Sequence, residues 1–214
     1  MIYMYEINGV HIPTLKKLFG KDLNLYHQSF FDMHNTEQIE FDIIIGNPPY
    51  NMNGTVKVPT NSVSVKTLDG KTIWMDFIRR AISTLKKDGL LLMITPTLWL
   101  RPDRAKMHDF MFKHDILEIR CMTNTETMKR FHYHIQTPTC YFLLQNRSPS
   151  IENNNGFDYI TLYDRYTHKF IYYNLHYLTV IPVFGSDLIK SITPFLLFYG
   201  SIPAYKTNMP QKEI

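Results

Sequence analysis

Short apolar blocks recur along the chain at two spacings, one suited to strands and one to helices. Ile2 to Tyr5 is an apolar run closed by Glu6 and then Asn8-Gly9, which predicts a buried strand ending in a turn. Pro13 to Leu18, with Leu15, Leu18 and Phe19 on one side and Gly20 after them, predicts a short helix. Leu23 to His27 reads as a second strand. Phe41 to Ile45, rich in isoleucine, reads as a third, buried on both faces. Ile73, Phe77, Ile78, Ala81, Ile82 and Leu85 fall at helical spacing, and Lys86-Lys87-Asp88-Gly89 supplies a basic last turn and a stop. Leu90 to Thr95 is a further buried strand, ended by Pro96. Arg104 to Lys113 predicts a helix, Ile116 to Cys121 a strand, and Thr137 to Leu144 another strand.

Strand and helix alternate as far as Asn146. That pattern predicts an α/β fold, a parallel sheet with helices on both faces. Beyond it the periodicity dissolves into Ser148-Pro149-Ser150 and Asn153-Asn154-Asn155-Gly156. We therefore divide the chain into a core at 1–146 and a linker with the start of a second region at 147–214. Residues 51–72 differ from their surroundings. Asn, Gly, Thr, Ser and Lys dominate, with valines alternating at Val56, Val58, Val63 and Val65. So long a loop inside a domain is more often functional than not.

Composition changes this picture little. The chain has 214 residues, 44% hydrophobic and 14% aromatic, enough for a buried core and too apolar for disorder. A net charge of +4 without any basic block is compatible with a phosphate-bearing partner but does not demand one. Cys121 and Cys140 sit far apart in apolar segments and read as buried free thiols. The start carries no signal-peptide pattern, and no apolar run reaches the ~20 residues of a membrane span. A soluble, intracellular protein without a membrane partner is expected.

The chemistry lies directly after the Phe41 to Ile45 strand, in Gly46-Asn47-Pro48-Pro49-Tyr50-Asn51. Ligands of open α/β sheets bind at the carboxyl ends of strands. Two consecutive prolines remove two N–H donors and stiffen the loop. An exocyclic amine such as adenine N6 is a poor nucleophile, because its lone pair is delocalised into the ring. The side-chain oxygen of Asn47 and the carbonyl of Pro48 can each accept one of its N–H groups. That draws the nitrogen toward tetrahedral geometry and frees the lone pair. Tyr50 offers a ring to stack on a base extruded from its duplex. A plain proline-stiffened turn is the bland alternative, and a strand before with a long loop after favours the catalytic one.

Asn-Pro-Pro-Tyr in this setting resembles the signature of the N6-adenine DNA methyltransferases of restriction-modification systems. The likeness runs over roughly residues 1–146 in strand order and implies a Rossmann-like sheet that binds S-adenosylmethionine. It implies that Asn47, Pro48, Pro49 and Tyr50 form the catalytic loop and that DNA is the partner. Glu6 falls where the family holds the cofactor's ribose, and Phe30 where an aromatic lies beside its adenine. Ser29 stands where the family has an acid, and Asp32 is the nearest substitute. Asn47 also belongs to the expected cofactor contacts. Ile94-Thr95-Pro96 with Trp99-Leu100 is similar to the family's next strand and loop, and Phe131 to Leu144 to its closing strand pair.

The family's glycine-rich first loop has no counterpart, since no Gly-x-Gly occurs. Phe184-Gly185-Ser186-Asp187 is the one disguised candidate, and an ordinary loop before a helix explains it better. The expectation is a sheet incomplete at its N-terminal side, its glycine loop supplied by an upstream segment or a separate chain. Such a chain alone should hold cofactor weakly.

Two other functions stay open: an amino-methyltransferase acting on protein glutamine or ribosomal RNA, and a non-catalytic DNA-binding or scaffold subunit. His132 and His134 read as strand histidines or DNA contacts before metal ligands. Arg79-Arg80 and Lys86-Lys87 read as helix-solvating residues. Lys57, Lys66 and Lys71 are open between phosphate contacts and plain solvation. Tyr159, Tyr163, Tyr166, Tyr172 and Tyr173 form either an aromatic core or a stacking surface, with core preferred.

Overall fold

The computed structural model describes residues 1–20, 23–33, 39–52, 72–131, 137–149, 159–174 and 181–185, together with 191, 194, 195 and 198. Two sheets carry these residues. Strands β1 (Tyr3–Tyr5) and β2 (Asn24–Tyr26) pair in parallel, joined by helix α1 (Ile12–Phe19). Pro13 lies in the first turn of α1, and Gly20 ends it at φ 80°, a conformation that favours glycine.

The larger sheet holds β3 (Phe41–Gly46), β4 (Leu85–Pro96), β5 (Asp115–Met122), β6 (Thr139–Gln145), β7 (Tyr159–Asp164) and β8 (Lys169–Asn174), in the order β3-β4-β6-β5-β7-β8. Helices α2 (Trp74–Ser83), α3 (Met107–Met111) and α4 (Asn124–Phe131) connect them. The fold is the α/β type expected, but the sheet is mixed rather than parallel. β3–β4 and β5–β7 are parallel, whereas β6 runs antiparallel to both β4 and β5. The chain turns back after β5, so that Met122 at its end pairs with Thr139 at the start of β6.

Register places Leu91, Phe142, Ile119 and Leu162 on one face, all fully buried together with Trp74, Ile78 and Trp99. The opposite face carries Leu92, Leu143, Glu118 and Thr161, which are only half-buried. The expectation of helix cover on both faces therefore holds for one face of the described residues. β3 follows this rule. Ile44 pairs with Leu91 and packs on the core, but Ile43 and Ile45, on the open face of the outermost strand, are 59% and 72% exposed. The reading of β3 as buried on both faces is corrected accordingly.

Lys86-Lys87-Asp88-Gly89 is no helix end. α2 stops at Ser83, where the Thr84 hydroxyl donates to the Arg80 and Ala81 carbonyls. The four residues form an excursion within β4 opposite Asp42, because Phe41 pairs with Leu85 and Ile43 with Leu90. Asp88 sits at φ 64°. A Cβ on Gly89 would lie 3.1 Å from the Asp42 carbonyl oxygen, so glycine allows the close approach. The Asn146 amide donates to the Leu85 and Lys86 carbonyls and holds the excursion shut.

Further boundaries moved. α3 begins at Met107, after Lys106 at φ 53°, with the Asp103 carboxylate accepting the Met107 N–H, so Arg104 to Lys106 lie outside it. α4 ends at Phe131, and β6 is the one strand described in the stretch read as a closing strand pair. β7 and β8 continue the sheet alongside β5, beyond the division drawn at 146–147. The valine alternation, Lys57, Lys66, Lys71, His132 and His134 lie outside the described residues. No helix among the described residues is long and apolar enough to cross a membrane.

Candidate active site

β1 and β3 both point their carboxyl ends at one cavity of about 790 Å³, within the range of small-molecule sites. Its walls bring together Glu6 from the end of β1, Phe30 from a 3-10 turn, and Asn47, Pro48 and Pro49 from the loop after β3. Residues about forty positions apart in sequence, Glu6 and Asn47, thus line one cavity although their strands belong to different sheets.

The loop is held at both ends. Pro48 is buried, whereas Asn47 and Pro49 are exposed. Asn51 bridges Thr72, and the Ile73 N–H donates to the Tyr50 carbonyl at 3.1 Å, so the long loop leaves and returns at one point. The side-chain amide of Asn47 has no hydrogen-bond partner among the described residues and is available to a ligand. Tyr50 is placed differently from the expectation. It packs against the hydrophobic core rather than lining the cavity, and burial pushes its hydroxyl up to about 12. The ring is half-buried, so only one part of it can meet a base.

Glu6 is the one charged residue in the described lining. Its Oε1 accepts the Asn8 N–H at 2.6 Å, which leaves Oε2 for another donor. Phe30 stacks on Phe77 of α2, centroids 6.1 Å apart, and meets Tyr5 edge-on at 5.7 Å. Arg80 donates to the Met33 carbonyl at 2.6 Å and ties α2 to the turn bearing Phe30. Ser29 is explained locally: its hydroxyl caps that turn by accepting the Phe31 N–H. Asp32 is exposed and is not in the lining, so the cavity does not bring it to the other expected residues.

Sequence reasoning missed Tyr5 and Phe77 as the aromatic wall beside Phe30. The signal was present for Tyr5, since Tyr3 and Tyr5 alternate on one side of a strand and stack with Tyr26 at 6.4 and 5.1 Å.

The remaining candidates resolve locally. Arg79 pairs with Asp76 at 3.6 Å and lies over Phe110, and Lys86 pairs with Asp42 at 2.7 Å. Among the tyrosines only Tyr173 is buried. Tyr163 lies beneath the Arg120 guanidinium at 4.2 Å, and Tyr159, Tyr166 and Tyr172 are exposed, so the all-core reading is corrected. Gly185 packs onto the Asp164 carboxylate at the end of β7, with the Phe184 carbonyl accepting the Arg165 N–H. That place is across the sheet from the cavity, and Ser186 and Asp187 lie outside the described residues.

No curated protein sequence matches the chain. Among solved structures, one described as the modification subunit of a type I restriction enzyme from Vibrio vulnificus YJ016 is similar over 91% of this chain and 41% of its own, with 12% identity and a TM-score of 0.51. A type I restriction-modification methyltransferase subunit from Streptococcus thermophilus is similar over 94% of this chain and 48% of its own, with 12% identity and a TM-score of 0.45. The M protein of the type I restriction enzyme EcoKI is similar over 76% and 35%, with 14% identity and a TM-score of 0.47. This chain spans less than half the length of each. Residues 8–128, just over half of the chain and including the Asn47–Tyr50 loop, match the model of one family: the chain belongs to the Eco57I restriction-modification methylases.

Proposed function

We propose that this chain is the catalytic part of an S-adenosylmethionine-dependent methyltransferase acting on the N6 amine of adenine in DNA. One observation carries the reading. Asn47, Pro48 and Pro49, directly after the carboxyl end of β3, line a cavity that also holds a carboxylate, Glu6, and an aromatic ring, Phe30. Family membership supports methyl transfer, and the loop supports an amine as acceptor.

Half of a cofactor site fits. Glu6 Oε2, without a hydrogen-bond partner among the described residues, can accept from ribose hydroxyls, and the Phe30–Phe77 stack with Tyr5 offers a flat apolar wall to an adenine. The bound cofactor supplies an electrophilic methyl group. Asn47 Oδ1 and the Pro48 carbonyl each accept one amine N–H and turn the nitrogen lone pair toward that methyl. The extra proton leaves to solvent after transfer, so the loop needs no strong base. Pro48, buried, keeps its carbonyl fixed while the exposed Asn47 side chain closes on the amine. The half-buried Tyr50 ring, packed on the core beside the loop, leaves only its exposed part for stacking on the base.

Label transfer from radioactive S-adenosylmethionine to DNA, ribosomal RNA and protein tests this reading. Label in N6-methyladenine of DNA is expected, and label confined to protein or RNA would sink the DNA assignment. A second reading, a non-catalytic DNA-binding subunit, is favoured by one observation. Gly46 is the single glycine in the described lining, and a Cβ there would make only an ordinary 3.5 Å contact with Met93. Nothing there is kept bare for a cofactor's close approach. DNA binding without label transfer in the full complex would favour it.

A further inference from the structure

The carboxyl ends of β3, β4, β5 and β7 all lie at one end of the large sheet, because β3–β4 and β5–β7 are parallel and β6 is antiparallel to both β4 and β5. The Asn47–Tyr50 loop takes that end after β3. Further along it, α4 follows β5, and a turn at residues 165–168 follows β7. An ion pair joins the two, Arg165 to Glu126 at 3.2 Å. Lys129 and Arg130 come three and four residues after Glu126, so helical spacing puts them on its face, one turn on. Arg120, near the end of β5, lies over the Tyr163 ring at 4.2 Å, and Lys169 opens β8. Burial works against ionisation of Glu126, yet its Thr123 bonds and the charges of Arg165 and Arg120 hold the carboxyl below its ordinary 4.5. Five cations here meet three carboxylates: Glu126, the buried Asp164, and Glu118, which accepts the Tyr141 hydroxyl at 2.8 Å. Lys129, Arg130 and Lys169 are exposed and have no ion-pair partner among the described residues, whereas Arg79, Lys86 and Arg147 are each answered by a carboxylate. The α4 dipole accounts for cations in its last turn but not for Arg165 and Lys169 beside it.

We propose that Lys129, Arg130, Arg165 and Lys169 form a patch that binds the phosphate backbone of a DNA duplex to one side of the adenine presented to Asn47. This rests on the reading of DNA as the substrate and adds where the duplex lies. β7 is four strands from β3, about 19 Å at the usual strand spacing. A duplex advances about 3.4 Å per base pair, so the patch meets it roughly five to six base pairs from the target. A stiff polyanion held at the loop must pass over whatever stands further along the same edge, and there the surface is positive. An acidic protein would match the charge but gives no reason for the patch to share an edge with the amine-binding loop.

The test is fluorescence anisotropy of the full 214-residue chain with a labelled mixed-sequence duplex of about 30 base pairs, at salt from about 50 to about 200 mM. It needs neither cofactor nor turnover. Lys129→Gln, Arg130→Gln and Lys169→Gln alter exposed side chains and should leave the urea midpoint close to the parent's. Each should lower the slope of log K against log salt by about 0.9, the share of one phosphate, and the triple variant should bind about tenfold or more weakly at the lowest salt. Lys87→Gln removes the same charge from the β4 excursion at the opposite end of the sheet and should leave the slope unchanged. The parent's slope in the triple variant, an equal loss from Lys87→Gln, or no duplex binding by the parent would overturn the proposal. So would tighter binding of polyglutamate than of duplex with the same variant losses, since the partner would then be an acidic protein. The two readings fail separately. Label transferred only to protein, with the slopes as expected, sinks DNA methylation and leaves the patch, whereas methylated DNA with unchanged slopes sinks the patch alone.

Discussion

Asn47 stands at the cavity mouth with its amide turned to no described neighbour, while the adjacent Pro48 is buried. That division of labour leads to a direct expectation. Asn47→Ala should lower kcat by about 10²–10³-fold, the cost of one preorganised hydrogen-bonding group, with the circular dichroism spectrum unchanged. A variant keeping half the parental rate would remove Asn47 from the mechanism. Tyr50 is a different case, because its ring packs on the core and burial holds the hydroxyl near 12. Tyr50→Phe should therefore retain most activity, and its rate–pH profile should superimpose on the parent's between about pH 6 and 9. Tyr50→Ala should lose both core packing and stacking, seen as lower stability and weaker DNA binding together. The four-residue loop was legible in sequence because prolines constrain the backbone locally. That Tyr50 would pack on the core was not legible, since this depends on tertiary neighbours and not on the loop's own residues.

At the scale of elements, α4 shows a signal present but unread. Thr123-Asn124-Thr125-Glu126 is a capping box: the Thr123 N–H donates to Glu126 Oε2 at 2.9 Å, and the Glu126 N–H donates to Thr123 Oγ1 at 3.2 Å. Thr123→Ala should cost about 1 kcal/mol in urea unfolding. Burial works against ionisation of Glu126, but the Thr123 bond and the Arg165 guanidinium at 3.2 Å outweigh it and hold the carboxyl below its ordinary 4.5. Its folded value is the lower one, so its contribution is present above 4.5 and fades as pH falls through the folded value. The stability gap between parent and Thr123→Ala should accordingly narrow in acid. Gly185 is the opposite kind of position, invisible in sequence. It sits at φ 125°, and a Cβ would fall 2.5 Å from the Asp164 carboxylate. That carboxylate accepts the Tyr166 and Thr167 N–H groups and shapes the β7–β8 turn. Gly185→Ala should destabilise the chain by about 1–3 kcal/mol, and an unfolding midpoint equal to the parent's would show that the turn is not held this way.

Across the molecule, register rather than composition decides what is reactive. Cys121 and Cys140 lie opposite each other on β5 and β6, on the buried face. Burial pushes Cys140 up to about 12 and Cys121 well above its ordinary value, so neither thiol is ionised near neutrality. Ellman's reagent should find no reactive thiol in the native chain and both in denaturant, and a native thiol reacting at the free-cysteine rate would contradict the register. The buried reading of these cysteines came from their apolar neighbours alone and agrees with the structure.

What the sequence determined by itself was local: strand and helix identities, the helix stop at Gly20, the thiol environments, and the stiff loop after β3. These follow from apolar period, backbone restriction and residue size, which act over a few residues. The tertiary structure decided the rest. It set β6 antiparallel between β4 and β5, and left Ile43 and Ile45 open because they face away from the buried core. It turned Lys86–Gly89 from a helix end into an excursion held by Asn146, and brought Glu6, Phe30 and Asn47 to one cavity. Each of these depends on which strands are neighbours, a property of pairings between segments distant in sequence that no local pattern encodes.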